Sequence, residues 1–102
     1  MFDIAGRQAY IASLIAARAL IYERTGKTSK THKGVKVVMH RMVREGLPID
    51  RGLLVALEYG FELKNVADYG ESEHISISEA ERALQLAADF IVRIEKLISV
   101  GA

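Results

Sequence analysis

The sequence predicts an all-α fold, an up-and-down bundle of four helices forming a single domain over residues 1–102. Three observations carry that expectation. Apolar residues recur at alternating spacings of three and four through four separate stretches, the period of helices that bury one side. Short segments edged by Gly26, Gly46 and Gly70 divide those stretches, and the chain's only proline, Pro48, falls between the second and third. No stretch shows the sustained alternation of a strand. With 102 residues, 50% hydrophobic and 26% charged, the chain is long enough for one core and too short for two.

The first helix is expected from Ile4 to Arg24. It is rich in Ala, Leu and Ile, free of proline, and its apolar residues almost encircle it. Ile11, Leu14 and Ile15 exceed what three partner helices in a small bundle cover, which points to a second copy of the chain or a missing element, unless alanines on a half-exposed face inflate the stripe. Thr25 to Thr31 reads as a connector, with Gly26 as the helix stop. Its GKTSKT is not a phosphate-binding P-loop, because that motif needs a glycine where Ile21 stands and a strand where a helix stands. The second helix, about Thr31 to Glu45, has the cleanest pattern. Val35, Val38, Met39, Met42 and Val43 share one face, while Lys33, Lys36, His40 and Arg44 share the other.

Gly46 should end that helix, with Leu47-Pro48 opening the next and Pro48 in its first turn. The central helix, Asp50 to Tyr69, places Leu53, Leu54, Leu57 and Phe61 on one side. Val55, Tyr59, Leu63 and Val66 lie nearly opposite, and Arg51, Glu58, Glu62 and Asn65 mark a narrow solvent face. Continuing the first stripe reaches Lys64 and Asp68, two charges where the pattern asks for core. After a polar connector, Ser78 and Glu81 have capping-box spacing. The last helix then carries a seam of Ala83, Ala87, Phe90, Ile94 and Leu97, backed by Leu84, Ile91 and Ile98.

Several function classes are excluded early. Without cysteine there is no disulfide framework, thiol chemistry or Cys-based zinc site. The longest uncharged run, Gln8 to Ala17, is well short of the ~18 to 20 residues of a membrane span. Met1 leads into Phe2 and Asp3 rather than a basic segment followed by an apolar one. No membrane association is therefore expected, and a cytoplasmic location is. The net charge of +1 conceals an uneven distribution: residues 1–51 carry +6 and residues 52–102 carry −5. Either the halves attract one another within the fold, or the basic half meets an anionic partner.

Lys33, Lys36, His40 and Arg44 stand in a stretch, Arg24 to Arg44, that holds seven Lys/Arg residues and no acid. Two readings apply: a solvated outer face, or a footprint for phosphate or RNA backbone. His32, His40 and His74 lack the spacing of a helical metal pair, and Glu71 and Glu73 are loop acids without a placed partner. No metal and no cofactor are expected. Lys64 and Asp68 are either an ion pair at a helix end or part of a site, since rule-breaking positions are where function is sought.

The runs KTHKGV (30–35) and VADYG (66–70), with the first helix AYIASLIAARALIYERTG and a final helix opening SEAERALQLAADFIVRIEKLI, resemble the HEPN domain family of small prokaryotic helical proteins. The resemblance covers most of the chain. It implies an α-helical up-and-down bundle, a homodimer, and a toxin-antitoxin-like pairing with a minimal nucleotidyltransferase. It also implies metal-independent ribonuclease activity in members that carry an arginine followed after roughly four to six residues by a histidine. In this chain Lys64 takes the arginine's place, and Tyr69, Gly70 and Glu71 fall where the histidine belongs. Lysine keeps the charge but lacks the bidentate fork. The resemblance therefore implies a nucleotide- or RNA-binding and interaction module without efficient nuclease activity. Two alternatives stand beside it: an active ribonuclease using the region from Lys64 through Asp68 to Tyr69, and a structural dimerisation module. Tyr69 is, by the same resemblance, a modification site for the partner enzyme. Relatives of this branch also have a helix ahead of the first one here, so the bundle is expected to lack the family's usual first helix.

Overall fold

Four helices, α1 (Phe2–Thr25), α2 (His32–Arg44), α3 (Arg51–Tyr69) and α4 (Ile77–Gly101), make up the fold. The structure is a computed structural model that describes residues 2–49, 51–69 and 76–101, without the side chains of residues 2, 3, 53, 66–69, 100 and 101. Among the described residues there is no strand. Terminal amides and carbonyls are satisfied at the end of α1, at both ends of α2 and at the start of α4. Gly26, at φ +72°, turns the chain off α1 while its amide donates to the Tyr22 carbonyl at 2.8 Å. Thr31 caps α2 by accepting from the Gly34 amide at 3.0 Å.

The other end of α2 closes in a Schellman motif. Leu47 N donates to Met42 O at 2.9 Å and Gly46 N to Val43 O at 3.1 Å, with Gly46 at φ +106°, where a side chain would be strained. That closure corrects the expected start of α3. Leu47 folds back onto the core to complete the motif, so Pro48 lies in the loop rather than in a first helical turn, and Ile49 is buried before α3 begins. The start of α4 also differs. Ser76 and Glu79, not Ser78 and Glu81, form the capping box, with Glu79 N to Ser76 Oγ at 3.1 Å and Ser76 N to Glu79 Oε1 at 3.0 Å. Both pairs have the required spacing, and the hydrogen bonds form on the upstream one, so α4 begins at Ile77.

Helix directions follow from the packing. Ala9 of α1 clusters with Ala80, Ala83 and Ala87 of α4, and Arg24 donates to the Leu97 carbonyl at 3.1 Å, so α1 and α4 run the same way. The α2–α3 loop lies beside Arg24 and Thr25, while Leu63 near the end of α3 reaches Ala9, so α3 runs against both. The start of α2 sits against Tyr10 and its end beside Arg24. The all-α, four-helix expectation is met, and alternation of direction holds across α2, α3 and α4 but not between α1 and α2. Residues 26–31 carry the chain back along α1, a return of about 22 Å that a chain of this length spans when extended.

The core holds Leu20, Ile21, Val35, Met39, Phe90 and Ile94, all essentially inaccessible to solvent. A second cluster of Ala9, Leu63, Ala80, Ala83 and Ala87 lets α1, α3 and α4 approach closely at the other end. Gly60 of α3 belongs to that approach, since a Cβ there would stand 3.4 Å from the Tyr10 ring. Ala83, Ala87, Phe90 and Ile94 of the α4 seam are buried as expected and Leu97 is partly so, but Leu84 is half exposed. Val55 is 66% exposed rather than packed, since it faces the opening between α2 and α3. Leu14 is packed against the core, whereas Ile11 and Ile15 are exposed. With Ile4 and Tyr22 these two form one line along α1, the spacing of 4, 11, 15 and 22 returning to the same face.

Candidate functional site

Antiparallel packing of α2 on α3 leaves a groove of about 540 Å³ between them. Lys36, His40 and Arg44 recur every fourth residue along its α2 wall, and Arg51 faces them from the first turn of α3. Val43, Leu54 and Val55 supply apolar lining, and Glu58 stands at the Lys36 end. Three of the four basic residues expected to meet nucleic acid thus share one concave surface. Lys33 does not join them. It lines a second groove of about 680 Å³ with Lys27, Arg41 and hydroxyls of the connector, because the connector folds back on that side of α2.

Behind the Lys36 end lies a polar network joining three helices. The Tyr10 hydroxyl is 2.8 Å from His32 Nδ1, and His32 Nε2 is 3.0 Å from Glu58 Oε2. Lys36 Nζ approaches the same oxygen at 3.5 Å. A carboxylate only accepts, so Nε2 carries a proton; in the neutral ring Nδ1 then accepts from the Tyr10 O–H. The imidazole lies flat on Phe61, with ring centroids 3.8 Å apart and planes within 6°, and Phe61 meets Tyr10 at 5.6 Å. His32 is therefore held on both edges and one face.

Burial by itself pushes the Glu58 carboxyl up, but the hydrogen bond and charge of His32 together with the Lys36 ammonium outweigh it and hold it below the usual carboxylate range. Burial and, second, the Glu58 charge push the Tyr10 phenol up to about 12. Its neutral form is thus favoured by folding. The corresponding stability, on the order of 2–3 kcal/mol, is complete below the unfolded value near 10 and is lost as pH rises towards 12. Urea unfolding of the parent and of Tyr10→Phe between pH 9 and 12 should show the parent losing its advantage over the variant across that window. Parallel pH profiles would sink the assignment.

Of the residues expected in a catalytic role, Lys64 is half-buried on α3, while the side chains of Asp68 and Tyr69 lie outside the described residues. The same holds for Glu71, Glu73 and His74 in the connector before α4. Sequence reasoning missed the network. Helical period puts Glu58 and Arg51 on a solvent face, whereas Glu58 is half-buried and Arg51 completes the groove. The one available signal was His32 directly after the capping Thr31, where a side chain in the first turn points back towards neighbouring helices.

Fold and groove together define an all-helical protein with a basic cleft between its second and third helices. A family model described as the HEPN domain matches residues 1–97, and the chain belongs to that family. No curated protein and no solved structure matches it. Among the described residues, no helix is long and apolar enough to cross a membrane.

Proposed function

We propose that this HEPN domain is a nucleotide- and RNA-binding interaction module that works in the cytoplasm without efficient nuclease activity. The observation that supports it is the groove lined by Lys36, His40, Arg44 and Arg51, where cations line a concave, partly apolar cleft. Binding of single-stranded RNA should weaken steeply with salt, and Arg44→Ala with Arg51→Ala should reduce the log-log slope by about 1.4, the release of two phosphate counterions. Binding that is absent, or a slope unchanged in the double variant, would return these residues to a solvated face. The family resemblance supports a toxin-antitoxin-like pairing with a nucleotidyltransferase, for which Tyr69 is the proposed modification site. Metal-free incubation with RNA tests the ribonuclease alternative: cleavage by the parent that disappears in Lys64→Ala and in Asp68→Ala would replace the binding reading with an enzymatic one.

Homodimerisation belongs to the same proposal and has its own observation. Ile4, Ile11, Ile15 and Tyr22 are exposed along one face of α1, interrupted by Gln8 and Arg18. Light scattering at micromolar concentration should give the dimer mass, and Ile11→Glu with Ile15→Glu should give the monomer. A monomeric parent would remove the dimer from the proposal.

A further inference from the structure

The groove has a polarity that phosphate binding alone leaves unused. At one end stand Arg44 and Arg51; at the other, about 12 Å away along α2, stand Lys36 and Glu58. That separation is close to the length of one nucleotide from its phosphate to the far edge of its base. Lys36 Nζ lies 3.5 Å from Glu58 Oε2, so this end of the cleft presents a donor beside an acceptor rather than a further phosphate site. Glu58 is also held in place: His32 donates to it, and His32 is itself fixed by Tyr10 and by stacking on Phe61.

We propose, resting on the nucleotide-binding reading above, that the groove takes one guanine nucleotide unit, with its phosphate on Arg44 and Arg51 and its base edge on Lys36 and Glu58. The Watson–Crick edge of guanine presents an acceptor, O6, followed by two adjacent donors, N1–H and N2–H. Lysine only donates and an ionised carboxylate only accepts, with two oxygens able to take two parallel bonds. Lys36 beside Glu58 therefore offers the complementary order, donor then two acceptors. Adenine and cytosine each present one amino donor beside an acceptor, and uracil places one N–H between two acceptors, so none fills both carboxylate oxygens. His32 is a positioning residue, since it acts through Glu58. The Glu58 carboxyl, held below its usual range, stays ionised at neutral pH, and Oε1 together with the lone pair of Oε2 that His32 does not use serve as the two acceptors.

The test titrates the full chain with GMP, AMP, CMP, UMP and IMP at one salt concentration, following amide shifts by NMR. GMP should bind roughly five- to a hundredfold tighter than AMP, CMP or UMP, the range of one bidentate pair. IMP, which lacks the N2 amino group, should fall between. Glu58→Gln should erase the preference by bringing GMP affinity down to the level of AMP, whereas Arg44→Gln with Arg51→Gln should weaken all five alike. Should Glu58→Gln fail to fold, the exposed Lys36→Ala carries the same test by removing the O6 donor. Equal affinities, or a guanine preference that survives the Glu58 and Lys36 variants, would overturn this proposal. Salt-dependent RNA binding without base preference would overturn it while leaving the phosphate reading intact. Absence of all nucleotide and RNA binding would overturn both.

Discussion

Phe90→Ala should destabilise the protein by about 3–5 kcal/mol. Phe90 is completely buried on the α4 seam, in the cluster that holds Leu20 and Ile21 of α1, Val35 and Met39 of α2 and Leu57 of α3. Truncation removes the transfer free energy of the ring and leaves a cavity that rigid helices fill only in part. Small domains have only about 5–15 kcal/mol in all, so the loss is about a fifth or more of the total. Leu84→Ala on the same helix is the control. Leu84 is half exposed, so its truncation should stay within about 0.5 kcal/mol. Urea unfolding reads both through the midpoint at constant slope. Equal midpoints for the two variants would mean that α4 is rotated from the orientation described.

His32→Ala should cost on the order of 2–5 kcal/mol through three losses that no single neighbour can make good. The Tyr10 hydroxyl, on a residue only 4% exposed, loses its 2.8 Å partner, a penalty of about 1–3 kcal/mol for a stranded polar group. The flat stack on Phe61 disappears, worth about 0.5–1.5 kcal/mol. Glu58 loses its bond to His32 and retains Lys36. The stranded hydroxyl gives the prediction its second arm. Tyr10→Phe costs stability in the parent but should recover part of the loss in the His32→Ala background, because it deletes the orphaned donor. Thermal unfolding resolves both, as 1 kcal/mol is about 4–8 °C in a domain of this size. A His32→Ala midpoint within a degree of the parent would show that the histidine is merely solvated.

Local chemistry settled much of this fold. The amphipathic pattern of α2, the stops at Gly26 and Gly46 and the seam of Phe90 and Ile94 were legible because helical period and left-handed glycine turns depend on neighbours within a few residues. The basic face of α2 was legible for the same reason, and the sequence alone already separated Lys36, His40 and Arg44 from the buried valines and methionines. The overlapping Ser-x-x-Glu boxes before α4 have the same spacing, so the sequence reading on Ser78 and Glu81 could not be separated from the Ser76 and Glu79 box that forms. Pro48 shows the same limit, because its exclusion from α3 depended on Leu47 closing a motif onto Met42.

Tertiary structure alone decided what faces what. Tyr10 and His32 are 22 positions apart, and His32 and Glu58 are 26 apart, so no periodicity links them. They meet because the connector after Gly26 carries α2 back along α1 and lays it antiparallel on α3. The same arrangement brings Arg51 opposite Arg44 and turns a charged helix face into one wall of a groove. A helix pattern determines which side of a segment avoids water. Only the directions in which the segments run determine which charges share the resulting cleft, because side-chain interactions fall off over a few ångströms while the chain between them spans tens of residues.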